Sequence, residues 1–148
     1  MNIIREVFGS VERNNKYGIM ILRLSLGIMY VAHGFVLKVM TFTIPGTVKV
    51  IESIGYPSYL AYVLIVAETL GGLMLIFKVQ PRLVAIALVP VLSGAFMVHL
   101  RNGWVFNAEG GGWEYPAFLI ATSIAFFLLN DEDTKADIED EQELNRAL

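Results

Sequence analysis

Apolar positions gather into four blocks, at about residues 17–37, 59–77, 83–100 and 115–129, separated by polar or glycine-rich stretches. Each block is near the roughly 20 residues that cross a bilayer core about 30 Å thick. Ahead of the first block, Ile3, Ile4, Val7, Phe8 and Val11 recur at helical spacing, with Arg5, Glu6, Glu12 and Arg13 mostly between them. That pattern predicts an amphipathic helix lying on the membrane surface. The expected fold is an all-α integral membrane protein, a four-transmembrane-helix bundle. Residues 1–16 form the interfacial helix, 17–130 the membrane domain and 131–148 an acidic tail.

The connections refine this picture. The first block is too long for the apolar core of a signal peptide, contains Arg23 and is followed by no small-x-small cleavage site, so it is expected to be retained. Between blocks one and two, Ile44-Pro45-Gly46 and Gly55-Tyr56-Pro57-Ser58 are breakers. Thr47 to Ile54 between them has the length of two turns of interfacial helix. Lys78 to Arg82 is a five-residue link that allows only a tight antiparallel hairpin. Pro90 is expected to kink the third block. The last block spans only about 22 Å as a helix, so the preceding loop with Trp104, Phe106 and Trp113 is expected to dip into the interface.

Composition supports a membrane rather than an aqueous setting: 55% hydrophobic residues, 17% charged and a mean hydropathy of +0.59 over 148 residues. No cysteine is present, which excludes disulfides, thiol redox catalysis and thiolate metal sites. Redox chemistry would therefore need a borrowed cofactor. The net charge of -3 conceals an acidic C-terminus, since Asp131, Glu132, Asp133, Asp137, Glu139, Asp140, Glu141 and Glu143 lie in the last 18 residues. The basic residues form no clustered face, and a nucleic-acid role is set aside. Arg5, Arg13, Lys16, Lys78, Arg82, Lys135 and Arg146 fall on the side of the termini, against Lys38, Lys49 and Arg101 opposite. The excess predicts cytoplasmic termini in a bacterial inner membrane.

Ionisable residues inside apolar helices cost roughly 2.5 to 3.5 kcal/mol at the helix centre and need a partner or a function. Arg23, His33 and Glu68 are such residues, with His99 and Glu114 at the membrane edge. At 100° per residue Arg23, Gly27, Tyr30 and Gly34 share a stripe that Lys38 extends, and Glu68 shares a face with Gly71 and Gly72. Small residues mark helix contacts in membranes, so the two faces are expected to meet. An Arg23–Glu68 pair across them would fix register. His33 and His99 reach similar depth near the outer surface, where Glu114 enters the last helix. Three readings of that cluster stay open: interfacial histidines bonded to loop carbonyls, a site for a small ligand such as a quinone headgroup, and metal or haem ligation.

Leu22-Arg23-Leu24 with Gly27, His33-Gly34, Gly55-Tyr56-Pro57, Ala67-Glu68, Gly71-Gly72, Arg82, Val98-His99 and Gly111-Gly112-Trp113-Glu114-Tyr115-Pro116 stand here in an order that resembles the DoxX family of small bacterial and archaeal membrane proteins. The resemblance covers about residues 18–130, and the Gly-Gly-x-Glu-Tyr-Pro element is its most specific part. It implies a four-helix membrane bundle. It also implies an association with redox systems, because the family takes its name from a subunit of a quinone-linked sulfur-oxidising enzyme, although most members have no assigned reaction. Arg23, His33, Glu68, His99 and Glu114 match family positions. One departure is that the family's Gln-Lys pair after His-Gly is replaced by Phe35-Val36-Leu37, with Lys38 one position late.

Two functions follow. The first is a subunit of a membrane redox system that has no intrinsic cofactor, binds quinone near Arg23, Tyr30, His33, Glu68, His99 and Glu114, and works with a redox partner protein. The alternative is a non-catalytic scaffold, chaperone or small-solute carrier. Glycine-rich faces also suit a homodimer.

Overall fold

A computed structural model describes residues 2–105, 107–129 and 146, with side chains from residue 15 onward. The acidic tail, apart from Arg146, lies outside the described residues, as do Phe106 and the side chains on which the amphipathic reading of residues 1–16 rests. The described residues are helical, with no strand.

Helix α1 runs over Asn2–Val31 and continues as a π-wound segment, Ala32–Thr41. No proline lies between residues 1 and 31, and the backbone runs on from the N-terminal segment into the first span without a separate surface element. Helix α2 covers Ile44–Ser53, earlier than the expected Thr47 start, because Thr43 caps it through Oγ1 and Pro45 sits in its first turn. Proline there loses no hydrogen bond, since first-turn N–H groups have no helical partner. Helix α3 is Tyr59–Ile76. The third apolar block is divided into α4, Pro81–Ala87, and α5, Val89–His99. The division falls at Leu88, directly before Val89-Pro90, where proline removes one ladder bond. Helix α6 is Glu114–Leu128.

Three helical stretches are long and apolar enough to cross a membrane: 15–41, 59–76 and 81–102. The fourth, α6, is apolar but has 15 residues. Consecutive segments pack on each other, and α6 closes the arrangement against α1. Tyr30 and Ser123 share a hydrogen bond of 3.4 Å across that closure. Leu26, Leu75, Ala85, Leu88, Leu119 and Phe126 fill the middle. Large apolar side chains such as Val63, Leu70, Met97 and Phe118 face outward, the arrangement suited to lipid.

Glycines set the α1–α3 register. A Cβ on Gly27 would stand 2.9 Å from the Gly72 carbonyl oxygen, and one on Gly72 would stand 2.7 Å from the Gly27 carbonyl oxygen. Two turns further along the first helix, a Cβ on Gly34 would lie 2.8 Å from both Glu68 Cβ and the Thr69 nitrogen. The backbones therefore touch where small residues stand, as in other membrane helix pairs.

This register corrects the expected Arg23–Glu68 pair. Because Gly34 is level with Glu68 and Gly27 with Gly72 and Ile76, Arg23 falls at the C-terminal end of α3. Its guanidinium donates to the carbonyls of Leu75 and Ile76, the latter at 2.7 Å. Carbonyls at a helix C-terminus have no helical partner and carry the negative end of the helix dipole, so a cation is favoured there. Arg82 does the same at the end of α6, donating from Nε and a terminal nitrogen to the Phe127 carbonyl at 3.0 and 2.8 Å. Its charge also lies 5.5 Å from the centre of the Phe127 ring, within cation–π range.

Candidate functional site

At the other end of the α1–α3 pair, a polar cluster is enclosed by the π segment, α3, α5 and the start of α6. Lys38 forms an ion pair with Glu68. Glu68 is only 7% exposed, and a buried carboxylate without a counter-charge would be strongly disfavoured. The lysine side chain reaches it because Gly34 allows the π segment to lie directly on α3. Thr47 Oγ1 donates to the Lys38 carbonyl at 2.8 Å, tying the end of the segment to α2.

His33 stacks on Tyr115, with ring centres 5.2 Å apart and planes 22° from parallel. His99 Nδ1 lies 2.7 Å from the Ala95 carbonyl. A carbonyl oxygen only accepts, so His99 Nδ1 carries a hydrogen and donates it. The Cδ2–Nε2 edge faces Gly111, where a Cβ would be 3.1 to 3.3 Å from those atoms. Two hydroxyls, Thr69 Oγ1 and Tyr115 Oη, are buried with no hydrogen-bond partner in the protein. Such groups each cost about 1 to 3 kcal/mol unless a water or ligand satisfies them.

The loop between α5 and α6 forms the outer wall. Asn102 Nδ2 donates to the carbonyls of Gly110 and Gly111 at 3.1 and 3.0 Å, and the Trp113 nitrogen donates to the Gly103 carbonyl at 3.1 Å. Trp113 makes edge contacts with Trp104 and Phe96, at 4.3 and 5.6 Å between centres. A cleft of about 510 Å³ opens beside this wall, lined by Trp104, Glu114, Tyr115, Ala117 and Phe118.

Of the residues named from sequence, Tyr30, His33, Glu68 and His99 are drawn around one region. Glu114 lies at the head of α6 on the cleft side, and Arg23 is at the far end of α3. Among the described residues no three His, Cys, Asp or Glu side chains are arranged to hold a metal ion. Sequence reasoning passed over Lys38, Thr69 and Tyr115. Lys38 was visible as the end of the glycine stripe and Tyr115 as part of the Gly-Gly-x-Glu-Tyr-Pro element, whereas nothing in the pattern marked Thr69.

A protein named "Putative oxidoreductase CatD" from Bacillus subtilis (strain 168) is 31% identical over 116 residues, which cover 77% of this chain and 80% of that protein. No solved structure matches the chain. The family model for DoxX matches residues 18–100, over half the chain and including Arg23, His33, Lys38, Glu68 and His99. The chain belongs to the DoxX family.

Proposed function

We propose that this protein is an integral subunit of a membrane redox system that binds a small lipid-soluble ligand of the quinone class. The ligand site lies among Tyr30, His33, Lys38, Glu68, His99 and Tyr115. The observation that carries the reading is the pair of buried unpartnered hydroxyls, Thr69 Oγ1 and Tyr115 Oη, in the same part of the bundle as an ion pair and two imidazoles. Hydroxyl donors without acceptors fit a ligand with carbonyl oxygens. The name of the Bacillus relative, an oxidoreductase, points the same way.

A bound quinone would supply the two-electron, two-proton chemistry that a cysteine-free chain lacks. The residues then have separable tasks. Tyr115 and Thr69 orient carbonyl oxygens by donating hydrogen bonds, and His99 Nε2 and Glu68 take or give protons. Electrons come from a redox partner protein. In this reading α6 is a fourth span, helped across by the folded tryptophan loop, and the N-terminal part of α1 lies at the interface. The basic residues near the ends then place both termini in the cytoplasm of a bacterial cell, below the plasma membrane.

The test is an optical and mass-spectrometric inventory of protein purified in mild detergent. Near-stoichiometric quinone that disappears from His99→Ala and Glu68→Gln supports the reading, and quinone retained equally by both variants contradicts it. A second reading, a non-catalytic scaffold, is favoured by one observation: Arg23 and Arg82 satisfy helix-end carbonyls. Under it, Glu68→Gln lowers folded yield and leaves the redox behaviour of the folded protein unchanged.

A further inference from the structure

The cleft beside the tryptophan loop is shaped by its own backbone. On α6, Glu114, Ala117 and Phe118 share one helix face, and the small Ala117 leaves a depression between the two larger residues. The facing wall is Trp104, whose carbonyl accepts from the Glu114 nitrogen at 3.1 Å and whose ring lies edge-on to Trp113 at 4.3 Å between centres. A Cβ on Gly112 would stand 2.2 Å from the Val105 carbonyl oxygen, so the two arms of the loop are in backbone contact, which fixes where Trp104 stands. The hollow of about 510 Å³ falls within the roughly 300 to 1,000 Å³ of small-ligand sites. It opens outward, since Phe118 and Trp104 are 67% and 54% exposed, and Glu114 is its one charged residue.

Tyr115 joins this hollow to the polar cluster. Its side chain lines the cleft and stacks on His33, and its hydroxyl is buried with no hydrogen-bond partner among the described residues. Lipid tails are as apolar as any ligand chain, so apolar contact by itself does not select an occupant inside a membrane. Selection follows when a chain lies in the cleft while the head of the same molecule supplies the acceptor that the Tyr115 hydroxyl lacks. We propose that the cleft holds the apolar chain of an amphiphilic ligand that enters sideways from the bilayer and sets a carbonyl-bearing head against Tyr115. The proposal deepens the ligand reading and rests on it for the head group; the chain site stands on the cleft itself.

The test is photolabelling of the protein in phosphatidylcholine nanodiscs with decanol carrying a diazirine in its chain, read by peptide mass spectrometry. Two competitors are used, a ubiquinone with a short isoprenoid chain and the same ring without a chain. In the wild type, saturable labelling is expected on Trp104, Ala117 or Phe118, lost when the chain-bearing quinone is added and kept with the chainless ring. Ala117→Phe fills the depression and is expected to lose the labelling while keeping the elution profile of folded protein. Should that variant not fold, Phe118→Ala, at an exposed position, removes the outer rim and is expected to weaken the labelling. Labelling spread equally over outward side chains such as Val63, Leu70 and Met97, or unchanged in the variants, overturns the chain site. Displacement of the probe by the chainless ring overturns the division between chain and head. If the cleft is labelled saturably and neither quinone displaces the probe, the chain site holds and the quinone reading of the head fails.

Discussion

Gly34→Ala is the substitution whose effect the geometry fixes most closely. The added Cβ would lie 2.8 Å from Glu68 Cβ, from the Thr69 nitrogen and from Thr69 Oγ1. Carbon atoms pack at about 3.5 to 4.0 Å, so the π segment and α3 must separate by roughly 1 Å. Two of the three obstructing atoms belong to the backbone or its first side-chain carbon and cannot rotate away. Overpacking of this kind costs about 1 to 3 kcal/mol, and removing a helical glycine returns up to about 1 kcal/mol. The expected net loss is about 1 to 2 kcal/mol, read as a fall of several degrees in Tm for a chain of this length. The same separation draws Lys38 from Glu68. Gly94→Ala is the control, because nothing lies within 4 Å of its added Cβ, and it should hold or raise Tm by virtue of helix propensity alone. Thermal unfolding in detergent, followed by tryptophan fluorescence, measures both. A Gly34→Ala protein as stable as Gly94→Ala would refute the close approach on which the site depends.

Two further substitutions probe other parts of the fold. Arg23→Gln leaves the Leu75 and Ile76 carbonyls without their cation and should lower stability by about 1 to 2 kcal/mol, with quinone affinity unchanged; a loss of affinity at unchanged Tm would return Arg23 to the site. Gly112→Ala places a Cβ 2.2 Å from the Val105 carbonyl oxygen and 2.4 Å from that of Trp104, which the loop cannot absorb. The emission of Trp113, which packs edge-on against Trp104 and Phe96, should therefore shift to that of solvent-exposed indole, and an unchanged spectrum would show the loop to be looser than described.

The helical blocks were legible because bilayer thickness imposes a length on apolar runs that no folded detail alters. The ends of α3 and α6 fall within a residue or two of the apolar boundaries. Charge pairing was not legible in the same way. Counting residues from block ends put Arg23 and Glu68 within reach, but register is set where backbones touch, and Gly27, Gly34 and Gly72 place Arg23 at a helix end instead. The π segment was hidden for a related reason: a fixed 100° rotation per residue cannot register a change of winding, so Lys38 was seen only as the end of a stripe. His33 stacks on Tyr115 and the His99 ring edge lies against Gly111, so both histidines meet the Gly-Gly-x-Glu-Tyr-Pro element. That Tyr115 stacks on His33 depends on the loop that carries Gly112, and spacing alone does not determine it.

The most direct measurement is a titration of purified wild type, His99→Ala and Glu68→Gln with short-chain ubiquinone, monitored by quenching of Trp104 and Trp113. Binding should be saturable in the wild type and lost in both variants while each keeps the elution profile of folded protein. No saturable binding to the wild type, or equal binding to all three, would contradict a ligand site in this cluster.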